Sequence, residues 1–131
     1  MRNLSNEVKS ISLIAPVVQT STTTGSGVDV ESYNDDALAQ VNFGTMSGGS
    51  PSTVVTIQGS LPGTPSTYDQ TLATFVAATA AGHAAGKVSL AGIKNVRAVA
   101  TQTGAGNVPV CITLVATPFA KTGSLNSLTA A

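Results

Sequence analysis

Ala37-Leu38-Ala39-Gln40-Val41-Asn42-Phe43 alternates with a period of two. Ala37, Ala39, Val41 and Phe43 fall on one side, and Leu38, Gln40 and Asn42 on the other. Successive side chains of an extended strand point to opposite faces, so this pattern gives one face to a core and the other to water. The same grammar recurs on either side. Thr53–Gln58 is β-branched, with Val55 and Ile57 on one side. Leu72–Val76, Lys87–Leu90, Val96–Thr101 and Val108–Val115 have strand length and strand composition, and Val17–Thr24 is a seventh candidate.

Between these runs lies turn chemistry: Gly25-Ser26-Gly27, Asn34-Asp35-Asp36, Ser47-Gly48-Gly49-Ser50-Pro51, Leu61-Pro62-Gly63-Thr64-Pro65 and Gly104-Ala105-Gly106-Asn107. Glycine supplies positive φ, proline presets φ, and Asn and Asp bond their own backbone. Turn signals every ten to fifteen residues or so predict a sandwich or small barrel. No strong amphipathic helix follows any strand, which excludes parallel βαβ units. Ala77–Ala85 (AATAAGHAA) is alanine-rich but broken by Gly82 and has no wide apolar face; it reads as a loop, with a helical turn as the alternative. Pro109, at the start of its strand, fits an edge or a bulge better than a central position.

With 131 residues and no internal boundary, the chain reads as one domain. Residues 15–118 form the predicted sandwich. Residues 1–14 and 119–131 read as arms, because isolated Ile11, Leu13, Phe119, Leu125 and Leu128 among Ser, Thr and Ala cannot bury much on their own chain. Those five are the candidate contacts with a neighbouring subunit or another protein of an assembly. Arg2, Lys9 and the short apolar run Ile11–Val18 faintly resemble a signal peptide, but Glu7 and the lack of a clean cleavage site favour a mature arm of a cytoplasmic product. No run reaches the ~18 apolar residues of a membrane helix.

Charged residues are 9% of the chain, against ~25% in typical domains, and 32 Ser and Thr take their place. Such a hydroxyl surface carries little repulsion against dense packing beside copies of itself. Net charge is zero, and no basic run could track a phosphate backbone, so no nucleic-acid partner is expected. Asp29, Glu31, Asp35, Asp36 and Asp69 are the only charges between residues 28 and 86, and Lys87, Lys94, Arg97 and Lys121 the only ones after. This division is either incidental or a pair of complementary patches that meet between subunits.

Few residues of the chain are arranged for chemistry. A usual metal site needs several His, Cys or carboxylate ligands, and no cluster surrounds the single histidine, His83. A serine nucleophile would want a Gly-x-Ser-x-Gly elbow, and none is present. Adjacent Asp35 and Asp36 would point to opposite faces of an extended chain and read as turn formers. Asp29 and Glu31 could face the same way, but a Ca²⁺ site needs about six ligands. Gly104-Ala105-Gly106 lacks the third glycine and the helix of a dinucleotide loop. Five Phe and Tyr and no Trp supply no aromatic platform for sugars or bases. The lone Cys111 excludes an intrachain disulfide and reads as a small buried hydrophobe. The expectation is a protein without catalytic residues, metal or cofactor.

The order of segments resembles the head decoration, or cement, proteins of tailed bacteriophages. The matching pieces are Ala37–Phe43, Ser47–Pro51, Thr53–Gln58, Lys94–Thr101, Thr103–Gly106 and Val108–Val115, spanning roughly residues 28–117, and Asn95-Val96-Arg97-Ala98-Val99-Ala100-Thr101 is the best of them. The family often has an acidic Glu-Ser-Asp-Asp stretch and a Trp after the Gln; here Gly59-Ser60-Leu61-Pro62 stands instead. The resemblance implies an antiparallel β-sandwich of jelly-roll type with extended arms. It implies a virion protein on the capsid exterior, made in the host cytoplasm, whose partners are the major capsid protein and itself, a dimer before a trimer, with no membrane. Two other classes compete. A receptor- or carbohydrate-binding module of a fibre or spike would want exposed aromatic residues. A small enzyme on a β-scaffold would have to use His83 as its general base.

Overall fold

The alternating run at Ala37–Phe43 is the middle of a longer strand. In the computed structural model, which describes residues 8–118, nine strands follow one another: β1 (Lys9–Gln19), β2 (Thr23–Thr24), β3 (Val28–Asp29), β4 (Tyr33–Phe43), β5 (Ser52–Ser60), β6 (Gln70–Thr74), β7 (Gly82–Ser89), β8 (Asn95–Thr103) and β9 (Val108–Pro118). No helix forms among the described residues.

The strands make two sheets. One has the order β1-β9-β4-β7; the other has the order β2-β8-β5-β6, with β3 also pairing β8. Every pairing is antiparallel. Each sheet interleaves strands from both halves of the chain, and β2 and β3 act as one broken strand. This is the two-sheet jelly roll.

The core lies between the sheets. Ala39, Val41, Val88, Ile112 and Leu114 face inward from the first sheet, and Val55, Ile57, Val96, Ala98 and Ala100 from the second. Ala39 lies in register with Leu114, and Ala98 with Ile57, so a small side chain stands beside a large one in each layer. Each fully buried Val, Leu or Ile contributes about 1.5–3 kcal/mol of transfer free energy.

Two of the turns read separately in the sequence are zipped together. Ser47 and Asn107 exchange backbone hydrogen bonds at 3.1 and 2.7 Å. This brings Gly48 against Gly106, and both have positive φ (+94° and +137°). A side chain on Gly106 would collide with the Ser47 carbonyl and the Pro51 ring, so close approach as well as conformation demands glycine here.

The structure corrects several expectations. Lys9–Ile14, read as part of an arm, lie in β1 and pair with Ile112–Ala116 of β9. Leu13, expected to reach a neighbour, is 3% exposed in the chain's own core, and Ile11 is half-buried against that core. Phe119, Leu125 and Leu128 lie outside the described residues. Asp35 and Asp36 belong to β4 rather than a turn; the turn is at Glu31–Ser32, and the irregular register between Tyr33 and Ala37 absorbs the acidic pair. The second half of Ala77–Ala85 is strand, because Gly82–Ala85 pair with Gln40–Phe43. β9 is central although Pro109 is its second residue. The Gly44 amide donates to the Pro109 carbonyl at 3.0 Å, so the missing Pro109 amide faces the last rung of the β4 ladder, where it is least costly.

Candidate functional site

The two outer faces of the sandwich differ. That of the β2-β8-β5-β6 sheet carries fixed polar structure. Arg97 stacks its guanidinium 4.4 Å from the Tyr68 ring centre and donates from Nε to Gln58 Oε1 at 2.9 Å. Asn95 Nδ2 donates to the Pro65 carbonyl at 3.1 Å. These contacts hold the Leu61–Asp69 loop against the sheet. Beside it, Lys94 Nζ bridges Asp29 Oδ2 at 2.6 Å and Glu31 Oε1 at 2.9 Å. Hydrogen bonds donated by the Lys94 ammonium and, secondarily, by the Glu31 amide hold the Asp29 carboxyl below its ordinary range. The same bonds to Asp29 and then Glu31 raise Lys94. The i, i+2 acidic pair therefore does share a side, but its partner is a lysine of the same chain. For these three residues, the acidic and basic halves meet within one molecule.

The outer face of the β1-β9-β4-β7 sheet is plain. Down its centre run Pro109, Cys111, Thr113 and Val115 of β9, flanked by Leu38, Gln40 and Asn42 of β4 in register and by Ser10, Ser12 and Val18 of β1. His83, Ala85 and Lys87 of β7 complete the rows. From Gln40 to Pro109 the face has no charged side chain; Asp36 and Lys87 sit toward one end. A shallow apolar hollow formed by Pro16, Val17, Val18, Phe43, Pro109 and Cys111 lies at the other. Val8 and Val18 are 60% and 59% exposed. The described chain enters at Val8 and leaves at Pro118 on the same end of this sheet, since Lys9 pairs with Ala116 and Tyr33 with Pro118. A second small hollow, between Val8, Leu38, Val115 and Thr117, marks that end.

This face offers apolar and hydroxyl groups at its surface. Cys111, expected to be buried, is half-exposed on it. The sequence concealed the face because Val108–Val115 is apolar on both sides: Val108, Val110, Ile112 and Leu114 point inward, while Pro109, Cys111 and Val115 point out. The available signal was this two-sided apolarity in an antiparallel strand. His83 is exposed on β7, and among the described residues no carboxylate or hydroxyl is hydrogen-bonded to it. Among the described residues no group of three His, Cys, Asp or Glu side chains is placed to hold a metal. No helix there is long and apolar enough to cross a membrane.

No protein-family model matches the chain, and a sequence comparison with curated proteins finds no match. Solved structures do match the fold. The SPBc2 prophage-derived protein YomS is similar over 83% of this chain and 93% of its own, with a TM-score of 0.50 and 14% identity. A chain in the structure of infectious bursal disease virus, Gx strain, is similar over 84% of this chain and 31% of its own, with a TM-score of 0.54 and 12% identity. At these identities the likeness is one of fold: the β-sandwich of this chain occurs in a prophage-derived protein and in a virus.

Proposed function

We propose that this chain is a structural protein of a tailed-phage virion, and specifically a head decoration protein. It docks on the major capsid protein from outside, through the charge-poor outer face of β1-β9-β4-β7, and adds contacts between capsomers without catalysis or cofactor. The observation that carries the reading is that face: apolar and hydroxyl-bearing, without a charged side chain from Gln40 to Pro109 among the described residues, and bounded at one end by the points where the described chain begins and ends. Binding of this kind needs no reacting group. Each contact is modest, and many symmetric copies sum. The segment order described above supports the capsid assignment, and a prophage-derived protein of the same fold and nearly the same extent is consistent with it. The reading includes self-association, with a dimer before a trimer, synthesis in the host cytoplasm and residence on the capsid exterior.

The test is co-sedimentation of the purified protein with heads that lack it. The wild-type chain is expected to pellet with the particles and to raise the temperature at which they rupture. Thr113→Glu places a charge in the middle of the docking face and is expected to weaken binding at least tenfold. Thr101→Glu, on the opposite face, is expected to bind as the wild type does. Failure of the wild type to sediment with heads would refute the reading, and so would a folded Thr113→Glu variant with undiminished affinity.

A further inference from the structure

Sheet edges expose unpaired backbone groups, and proteins that stay apart guard them. Here the edges are unequally guarded. β1 is broken by two register shifts and carries Pro16. β6 has five residues and a register shift of its own. β2 and β3 have two residues each. β7 is different. It runs eight residues without proline and pairs with β4 in unbroken register from Gly82↔Phe43 to Ser89↔Asp36, and nothing pairs with its other side among the described residues.

The direction of its free groups follows from the ladder. The Leu90 amide donates to the Asp35 carbonyl at 2.6 Å, which makes Leu90 opposite Asp35 a hydrogen-bonded pair. Antiparallel pairs alternate, so Val88, Gly86, Ala84 and Gly82 bond to β4. His83, Ala85, Lys87 and Ser89 then direct their amides and carbonyls away from the sheet. The side chains obstruct nothing: Gly82, His83, Ala84 and Ala85 are exposed and mostly small. Ala84 points toward the sandwich interior by register with fully buried Val41, yet it is exposed. The interior is therefore open on this side. An apolar groove of Leu72, Phe75 and Val76 on one wall and Ala84 and Gly86 on the other lies beneath the edge, and Val76 is 93% exposed at its lip.

We propose that β7 is the surface through which two copies of this chain pair, antiparallel about a two-fold axis, joining two four-stranded sheets into one of eight strands. A two-fold contact sets the same strand against itself, and β7 is suited to that electrostatically. Its single formal charge is Lys87, and a register centred on Ala84, Ala85 or Gly86 never sets Lys87 opposite Lys87. Uncharged small residues occupy the centre, so the backbones approach without a clash. The partner strand extends the roof of the groove over Phe75 and Val76, which supplies the apolar burial that main-chain hydrogen bonds alone lack. The inference rests on the reading that the chain self-associates and is independent of head binding.

Sedimentation of the full-length protein tests it, with three variants beside the wild type. Ala85→Pro removes an outward amide at the centre of the edge. His83→Lys/Ala85→Lys adds charges to the same strand without altering its backbone. The third variant lacks residues 119–131, which lie outside the described residues. The wild type and the truncated chain are expected to run as dimers. Each β7 variant is expected to halve in mass and to self-associate at least tenfold more weakly, with unchanged far-ultraviolet circular dichroism. If Ala85→Pro does not fold, the double lysine variant decides. Dimers that persist in a folded β7 variant would overturn the assignment of the surface while leaving self-association standing. Loss of the dimer on truncation would assign the interface to the C-terminal segment instead. A monomeric wild type would overturn both self-association and its surface, whatever the outcome with heads.

Discussion

Single residues in this chain show where composition has a thermodynamic cost. Thr53 is fully buried, and its hydroxyl has no hydrogen-bond partner among the described residues. A buried hydroxyl without a partner costs about 1–3 kcal/mol. Valine has nearly the same shape without the oxygen, so Thr53→Val is expected to raise stability by about 1 kcal/mol. Urea unfolding measures this as a higher midpoint at constant slope; an unchanged or lower midpoint would mean the hydroxyl is satisfied. The Lys94 cluster is the opposite case, exposed and electrostatic. Asp29 titrates lower in the fold, so its contribution is present above the ordinary carboxylate value and is lost as pH falls through the depressed one. Lys94 titrates higher, so its contribution is present below the ordinary lysine value and is lost as pH rises through the raised one. Lys94→Met is therefore expected to lower the melting temperature slightly and by a constant amount between about pH 5 and 9. The difference should shrink below about pH 3 and in 1 M salt.

At the scale of elements, the strands that were legible are those with one wet face. Ala37–Phe43, Thr53–Gln58 and Val96–Thr101 alternate because they are half-covered, and the structure extends each by a few residues without moving its inward set. The first part of β1, Lys9–Ile14, looks like an arm in the sequence because the strand lacks a regular period: Pro16 and two register shifts interrupt it, and its inward residues Leu13 and Ile14 are adjacent rather than alternate. The first half of β7 does not show in the sequence because Gly-His-Ala-Ala-Gly has almost no hydrophobicity with which to show a period; its neighbour β4 makes it a strand. The candidate face was the least visible feature. It is assembled from four strands distant in sequence, and its middle row lies on a strand apolar on both sides. That strand supports a prediction at this scale. Thr113 lies mid-way along β9, and the alternation fixed by Gly44 and Pro109 directs its amide to β4. Pro109 is tolerated because its rung is the last. Thr113→Pro removes an inner rung and leaves a β4 carbonyl unpaired. It is expected to leave no cooperative thermal transition by circular dichroism.

At the scale of the whole molecule, the jelly roll joins the ends of the chain last in entropic order. β1 and β9 pair Lys9 with Ala116, about a hundred residues apart, whereas β5 and β6 are joined by a loop of about ten. Closing the longer loop costs about 2 kcal/mol more, since closure entropy grows as (3/2)RT ln n. The β5, β6 and β8 layer therefore has the cheaper contacts, and the addition of β1 to the β9 edge belongs after the folding barrier. Leu13 reports on that step, being a buried β1 side chain that packs in the common core. Leu13→Ala is expected to cost about 2–5 kcal/mol at equilibrium. If β1 docks late, nearly all of that loss appears as faster unfolding, with the folding rate hardly changed and a φ-value below about 0.3. Ile57→Ala, in the layer that closes first, is expected to slow folding and give a higher φ-value. Stopped-flow chevrons for the two variants, with wild-type folding in the millisecond-to-second range of non-local β-proteins, separate the alternatives. A φ-value for Leu13 equal to or above that of Ile57 would place the β1-β9 seam in the nucleus, and loop entropy would then not set the order in which this sandwich closes.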